Sequence, residues 1–353
     1  MRTPSDAPVA PTVIDAVRVS TTTANRIATD PSRPERTAIS RRGAGGALIN
    51  AALLAGYVLI GGITPVAAKD ALSELPAIAT GVMRFGIAAS LLLLTRLFWR
   101  ERSEAAVRPI ERRDHWRFLL AGLLSVPVNQ PCYLLGLHFA NASHGGLFYA
   151  VNPVLVYLFT VAIGWTRWST RMIAACVLAF AGTAVIGIDG LHTGGSTRFL
   201  VGDALLFCAV SSWAAYSIVI VPLAATYGPI RSLTICMTIG ALLYLPAFAI
   251  DGGQVDFARL SARALGGFLF ISVMTGYLNY VIYFIALTRM EVNRISISAN
   301  TGPLVAVVAA HYWRDEPISA WLSISLVILV AAITLANWDR IKTLAGRRRP
   351  APA

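Results

Sequence analysis

Apolar residues along this chain gather into long windows near 47–67, 76–98, 116–138, 142–164, 170–188, 200–221, 231–250, 264–287, 292–313 and 317–337. Each holds roughly 20 residues, and at ~1.5 Å of rise per residue such a helix crosses a hydrocarbon core about 30 Å thick. The pattern predicts an all-α integral membrane protein with ten transmembrane helices. Most joints between windows are short, which makes neighbouring helices antiparallel. The longest internal joint lies between the second and third windows and is dense in arginine: Arg100, Arg102, Arg108, Arg112 and Arg113.

Composition points the same way. Of the 353 residues, 56% are hydrophobic and 14% charged, and the mean hydropathy is +0.63. Soluble domains carry about 25% charged residues. The length would suggest two soluble domains, a reading that the windows displace. The net charge of +12 sits in tails and joints rather than on one soluble face, so it signals orientation and not nucleic-acid binding.

With both termini inside, 24 Lys and Arg fall on inner segments and five on outer ones (Lys69, Arg198, Arg259, Arg263, Arg314), with Arg84 within a span. Positive loops stay cytoplasmic, so both ends are predicted to lie in the cytoplasm and the chain in the cell membrane. Residues 1–45, rich in Pro, Thr, Ala and Arg, read as a disordered tail, and 339–353 as a second basic tail. Ser40-Arg41-Arg42 resembles a twin-arginine export signal but is read as a basic inner anchor. The first window has full spanning length, unlike a cleavable signal. The four cysteines (Cys132, Cys176, Cys208, Cys236) lie unpaired in apolar runs and read as packing residues.

Setting Pro153 against Pro303, an offset of 150, aligns 121–169 with 271–319 without a gap. Asn129 meets Asn279, Tyr133 meets Tyr283, Leu137 meets Leu287 and Ser169 meets Ser319. The weight rests on the proline and the intramembrane asparagine, which recur at matched depth. Helices 3 and 4 then correspond to helices 8 and 9, an odd displacement of five, so the copies face opposite ways across the bilayer. Two inverted five-helix repeats, expected at 46–190 and 200–338, are a transporter architecture with the solute site near midplane.

Five passages carry a resemblance. They are Pro76-x(7)-Arg84; Gly136-Leu-x(4)-Ala-Ser143-x(9)-Pro153; Gly202-Asp203-Ala-Leu-Leu with Ser212-Trp213-Ala-Ala-Tyr216; Gly302-Pro303; and Asp315-Glu316-Pro317-Ile-Ser319. In this order and spacing the chain resembles the EamA-like branch of the drug/metabolite transporter superfamily over about 47–337. The resemblance implies ten helices, cytoplasmic termini, a central cavity and efflux as the direction; it implies no particular substrate. One departure stands out: the counterpart of Glu316 between helices 4 and 5 is Thr166.

Candidate solute contacts are the polar and aromatic residues within spans. Arg84 lies deep in helix 2, where a charge costs roughly 2.5–3.5 kcal/mol on insertion scales, so it is expected to face a cavity or a partner and to hold an anionic group. Asn129 and Gln130 lie in helix 3 between Pro127 and Pro131, whose bend frees backbone carbonyls. Helix 8 offers Tyr277, Asn279, Tyr280 and Tyr283, with Asn279 and Tyr283 on one face and Tyr277 and Tyr280 on a neighbouring one. Tyr133, Tyr149, Asn152, Trp213 and Tyr216 complete the set. For the amides, interhelical hydrogen bonding is the alternative role.

His138, His144 and His311 lie near span ends and read as structural, and Asp203 and Glu316 read as N-caps. None of the 18 acidic residues lies mid-span, which disfavours a carboxylate proton relay and favours facilitated diffusion or exchange. No ATP-binding loop is present, and nothing calls for a cofactor or metal. A lipid-modifying enzyme would need His, Asp, Glu or Cys clustered at one membrane face, where the sequence shows no such cluster, and a scaffold would not need prolines and amides matched in both halves. The sequence therefore reads as a secondary transporter or facilitator for small metabolites, with amino acids the favoured cargo. Its partners are the solute and the lipid bilayer.

Overall fold

The computed structural model describes residues 44–98, 108–194, 197–290, 295, 298, 299, 301–336 and 338. Residues 1–43 and 339–353 of the predicted tails, and the basic residues Arg100, Arg102 and Arg294, lie outside them, while Ala44 and Gly45 of the expected disordered tail already belong to the first helix. Helix α1 is Ala44–Leu72, α2 Ala77–Phe98, α3 Arg112–Phe139, α4 Ala142–Ala162, α5 Thr170–Gly194, α6 Thr197–Tyr227 and α7 Pro229–Tyr244. Helix α8 runs through Ala262–Leu269, Phe270–Leu278 and Asn279–Arg289; α9 is Gly302–Arg314 and α10 Ala320–Ala336. The described residues contain no strand.

Among the described residues eight segments, from Leu48–Leu72 to Ala262–Tyr283, are long and apolar enough to cross a membrane, and Ala320–Ala336 is a shorter apolar helix. The window expected at 292–313 is described mainly from Gly302 onward. Val177, Val221, Leu242 and Val327 are 63%, 65%, 64% and 68% exposed. Apolar side chains this open on almost every helix suit lipid rather than water. The chain is a multi-pass membrane protein.

Packing follows the repeat. From Ile49 on, α2 lies against α7, α4 against α9 and α5 against α10, so each of these helices touches its own counterpart. A two-fold axis between inverted copies produces such self-pairing. Small residues permit the closest crossings: a Cβ on Gly240 would lie 2.7 Å from the Gly122 carbonyl, joining α7 to α3, and one on Gly202 would lie 2.7 Å from the Ala140 nitrogen, joining α6 to α3. Without a hydrophobic drive between helices in lipid, such backbone approach supplies much of the packing.

The two copies also break alike. In α3 a π-helical stretch covers Leu124–Val128 and in α8 another covers Phe270–Leu278. Their last residues are 150 apart, and each is followed at once by the matched asparagine, Asn129 or Asn279. Helix α4 is interrupted at Ala150-Val151 before Asn152-Pro153, and α9 begins after Thr301 at Gly302-Pro303. Pro153 and Pro303 stand at the helix start, where the missing N–H is harmless.

Candidate functional site

Arg84 is 5% exposed on α2. Its Nε donates to the Ile271 carbonyl at 2.9 Å, and Nη1 to Gln130 Oε1 at 2.9 Å. Ile271 belongs to the π stretch of α8, where widened turns offer carbonyls to side chains. The π stretch of α3 does the same, its Leu124 carbonyl accepting from Ser212 Oγ. The chain of bonds continues from Gln130 Nε2 to Asn129 Oδ1 at 2.6 Å, and from Asn129 Nδ2 to the Ala209 carbonyl at 2.7 Å and the Tyr149 hydroxyl at 3.3 Å. Among the described residues Arg84 pairs with no carboxylate, and its hydrogen bonds run from Nε and Nη1; Tyr133, Tyr280 and Tyr149 lie within its electrostatic reach.

Aromatic contacts extend this centre. Tyr133 meets Tyr149 edge-on at 5.6 Å between centroids, Trp213 lies 4.9 Å from Tyr216 and 6.4 Å from Tyr280, and Tyr57 lies 5.6 Å from Tyr283. The structure thus gathers Arg84, Asn129, Gln130, Tyr133 and Tyr149 around one chain of hydrogen bonds, with Tyr280, Trp213 and Tyr216 alongside. Tyr277 goes elsewhere: its hydroxyl bonds Thr95 Oγ1 at 2.7 Å, farther along α2. Tyr277 and Tyr280 still pack their rings on one apolar cluster, and the hydroxyl bond to Thr95 is what sets Tyr277 apart. Asn152 Oδ1 and Asn279 Oδ1 are buried without a hydrogen-bond partner.

Several polar residues escape the sequence reading. Thr64 and Thr275 bond across α1 and α8 at 2.8 Å, and threonine in an apolar run gives little signal. At the end of the bundle where odd-numbered helices finish, Asp70 binds Arg263 at 3.0 Å, Trp313 Nε1 at 3.1 Å and Arg314. Also at this end, buried His144 places Nδ1 2.8 Å from Asp203 Oδ1 and Nε2 3.1 Å from Asp189 Oδ2. Ser319 Oγ donates to the other Asp189 oxygen.

Two expectations are corrected here. Asp203 is not an N-cap: it lies in the second turn of α6 and binds the imidazole. A cluster of His and Asp at one membrane face does exist, assembled from positions 45 and 59 residues apart, a distance that no local pattern spans. It is not a nucleophilic triad, because Ser319 reaches Asp189 and not the ring. Among the described residues, no set of His, Cys, Asp or Glu is arranged to hold a metal ion. Cysteines 132, 176, 208 and 236 are all free; Cys208 is exposed rather than packed.

Glu316 caps a helix, but α4 rather than its own. Its carboxylate accepts from Ala142 N at 2.8 Å, Ser143 N at 3.1 Å and Ser143 Oγ at 2.8 Å. Asp315, left-handed at φ 54, ends α9 and turns the chain toward that contact. By the repeat, the position that an acid at 166 would serve is 292, the counterpart of Ala142, which lies outside the described residues.

Helices that are apolar outside, paired about a two-fold relation and polar at matched internal breaks define a membrane transporter. Residues 48–188 and 200–338 each match the EamA-like transporter family, and the chain belongs to that family. It is 20% identical over 286 residues to "Uncharacterized transporter YyaM" of Bacillus subtilis (strain 168), covering 81% of this chain and 92% of that one. It is 25% identical over 285 residues to "Probable terminal-alkyne amino-acid exporter" of Streptantibioticus cattleyicolor, covering 79% and 92%. A solved crystal structure superposes with a TM-score of 0.57 at 16% identity, covering 88% of this chain and all of the other; it supports the fold.

Proposed function

We propose that the protein exports a small, partly apolar metabolite bearing one carboxylate, an amino acid or close relative, across the cell membrane, with both termini in the cytoplasm. The observation that carries this reading is Arg84: a buried cation with no carboxylate partner among the described residues, its hydrogen bonds running from Nε and Nη1, next to amides and phenols from α3, α4 and α8. A solute carboxylate would meet the guanidinium, whose fork suits a planar anion. The aromatic rings would meet the rest of the solute. A cargo with several negative charges would need several buried cations, and among the described mid-span residues Arg84 alone supplies one. The exporter named above, matched over 79% of this chain, supports the class of cargo.

Reconstituted vesicles loaded with labelled amino acids test it. Movement down the gradient in wild type, reduced in Arg84→Ala, is the expected result. If no amino acid moves while a phosphorylated metabolite does, the cargo is wrong although transport stands.

A further inference from the structure

We infer that His144, Asp189 and Asp203 form a buried proton-binding site, separate from the Arg84 centre, whose loading accompanies solute movement. The coupling rests on the transport reading above; the site itself does not.

The geometry fixes the count of protons. A neutral imidazole has one N–H and one acceptor nitrogen, and an ionised carboxylate only accepts. Both ring nitrogens face carboxylate oxygens, at 2.8 and 3.1 Å. With a neutral ring and two ionised aspartates, one of these contacts would join two acceptors. One added proton is therefore required, on the ring or on a carboxyl, and it belongs to the cluster rather than to either residue. In that state the three groups together carry one negative charge. His144 is fully buried, Asp189 is 2% and Asp203 5% exposed, where a charge needs partners to persist.

One oxygen remains open. Asp189 uses Oδ2 for the ring and Oδ1 for Ser319. Asp203 uses Oδ1 for the ring, and its Oδ2 is buried with no hydrogen-bond partner. A second added proton on Asp203 Oδ2 makes the cluster neutral, with no electron transferred and no other bond broken. The proton comes from water at the end of the bundle where α5 finishes and α6 begins, and it returns to water.

Charged and titratable groups on the surrounding elements bear on this equilibrium. Glu316 sits on the N–H groups of Ala142 and Ser143, next to His144, and Lys69 of α1 donates to the Ala140 carbonyl at 2.6 Å. Arg198 stands on the first turn of α6 and His138 at the end of α3. From α9 come Arg314 and His311, whose Nδ1 lies 2.9 Å from the Glu316 carbonyl.

The site shares its helices with the polar centre. The first piece of α4, Ala142–Tyr149, is eight residues long and carries His144 near one end and Tyr149 at the other. Helix α6 carries Asp203 and then Ala209. Tyr149 and the Ala209 carbonyl are the two groups that hold Asn129 Nδ2. Neutralising Asp203 weakens its attraction for the imidazolium and loosens α4 from α6 at one end. The same two helices then shift against Asn129 at the other.

Infrared difference spectra of the purified full chain decide whether the site exists. Lowering the pH from neutral through the carboxylate range should raise, among the bands of the other carboxyls, one carboxylic-acid C=O band in wild type that is missing in Asp203→Asn. Ser319→Ala, which keeps all three titratable groups, should retain the band at a shifted pH and serves where Asp203→Asn does not fold. A band set unmoved by either substitution overturns the site. In vesicles with an entrapped pH dye, a gradient of labelled amino acids should move protons in wild type. Amino-acid flux without proton movement overturns the coupling and leaves the cargo reading intact. If no amino acid moves, the cargo reading fails and the infrared band still decides the site.

Discussion

Arg84 shows how one residue reads at both levels. A lone arginine in a run such as Ala-Thr-Gly-Val-Met-Arg84-Phe has to find partners, so its importance is visible in the sequence alone. Its partners are not: the Ile271 carbonyl becomes available through a π stretch, and Gln130 through the packing of α2 on α3. If Arg84 holds the solute carboxylate, Arg84→Ala removes a charged hydrogen bond of ~1.5–3 kcal/mol and should cut flux by at least about tenfold. Arg84→Lys keeps the charge but cannot replace the guanidinium fork, and should recover only part of the flux. Surface labelling alongside the flux assay separates the roles, since a loss of protein equal to the loss of flux would make Arg84 structural. His144, Asp189 and Asp203 were illegible for the opposite reason. Each stands near a span end, where capping or the membrane interface accounts for a polar residue, and only the fold brings them together.

Breaks and caps organise the helices. Pro153 set against Pro303 led to the repeat and to the matched Asn129 and Asn279, yet the π stretches before these asparagines were hidden, because widened turns leave no residue signature beyond a nearby proline. Capping was legible in kind but not in partner. Glu316 serves α4, and Asp251 accepts from Ile78 N at 3.1 Å and Ala79 N at 2.8 Å at the start of α2, so acids of the second half cap two helices of the first. Glu316→Ala should lower stability by roughly 0.5–2 kcal/mol, read as a lower thermal midpoint of the purified protein. Glu316→Gln, which keeps an acceptor, should cost less. Equal losses would assign the effect to charge instead. A third acid behaves similarly in the joint between α1 and α2: hydrogen bonds from Ser261 Oγ and then Ser261 N hold the exposed Glu74 carboxyl below the usual carboxylate range. A depressed folded value means that its contribution is present above the unfolded value of about 4.3 and lost as pH falls through the folded one. The thermal midpoints of wild type and Glu74→Gln should therefore differ slightly at neutral pH and converge in acid. A difference that persists in acid would rule out the carboxylate as its source.

At the scale of the molecule, the order of windows already contained the antiparallel bundle, and an odd displacement of five already implied inverted copies. What it did not contain was which helices meet, because the self-pairing of α2 with α7, α4 with α9 and α5 with α10 follows from the two-fold relation and close glycine crossings. Orientation is the property that packing leaves open and charge decides. A distribution of 24 basic residues against five predicts ten crossings with both ends in the cytoplasm. Single cysteines in a background freed of the four native ones check both statements at once. Gly253 lies exposed in the joint between α7 and α8, where an added Cβ meets nothing within 4 Å, so Gly253→Cys should be tolerated and should react with an impermeant reagent in intact cells. Ala345→Cys, in the basic tail, should react only after the membrane is opened. Reversed labelling would invert the orientation. Labelling of both from outside would place residues 253 and 345 on one side, leaving an even number of crossings between them where α8, α9 and α10 predict three, and the count of ten would fall.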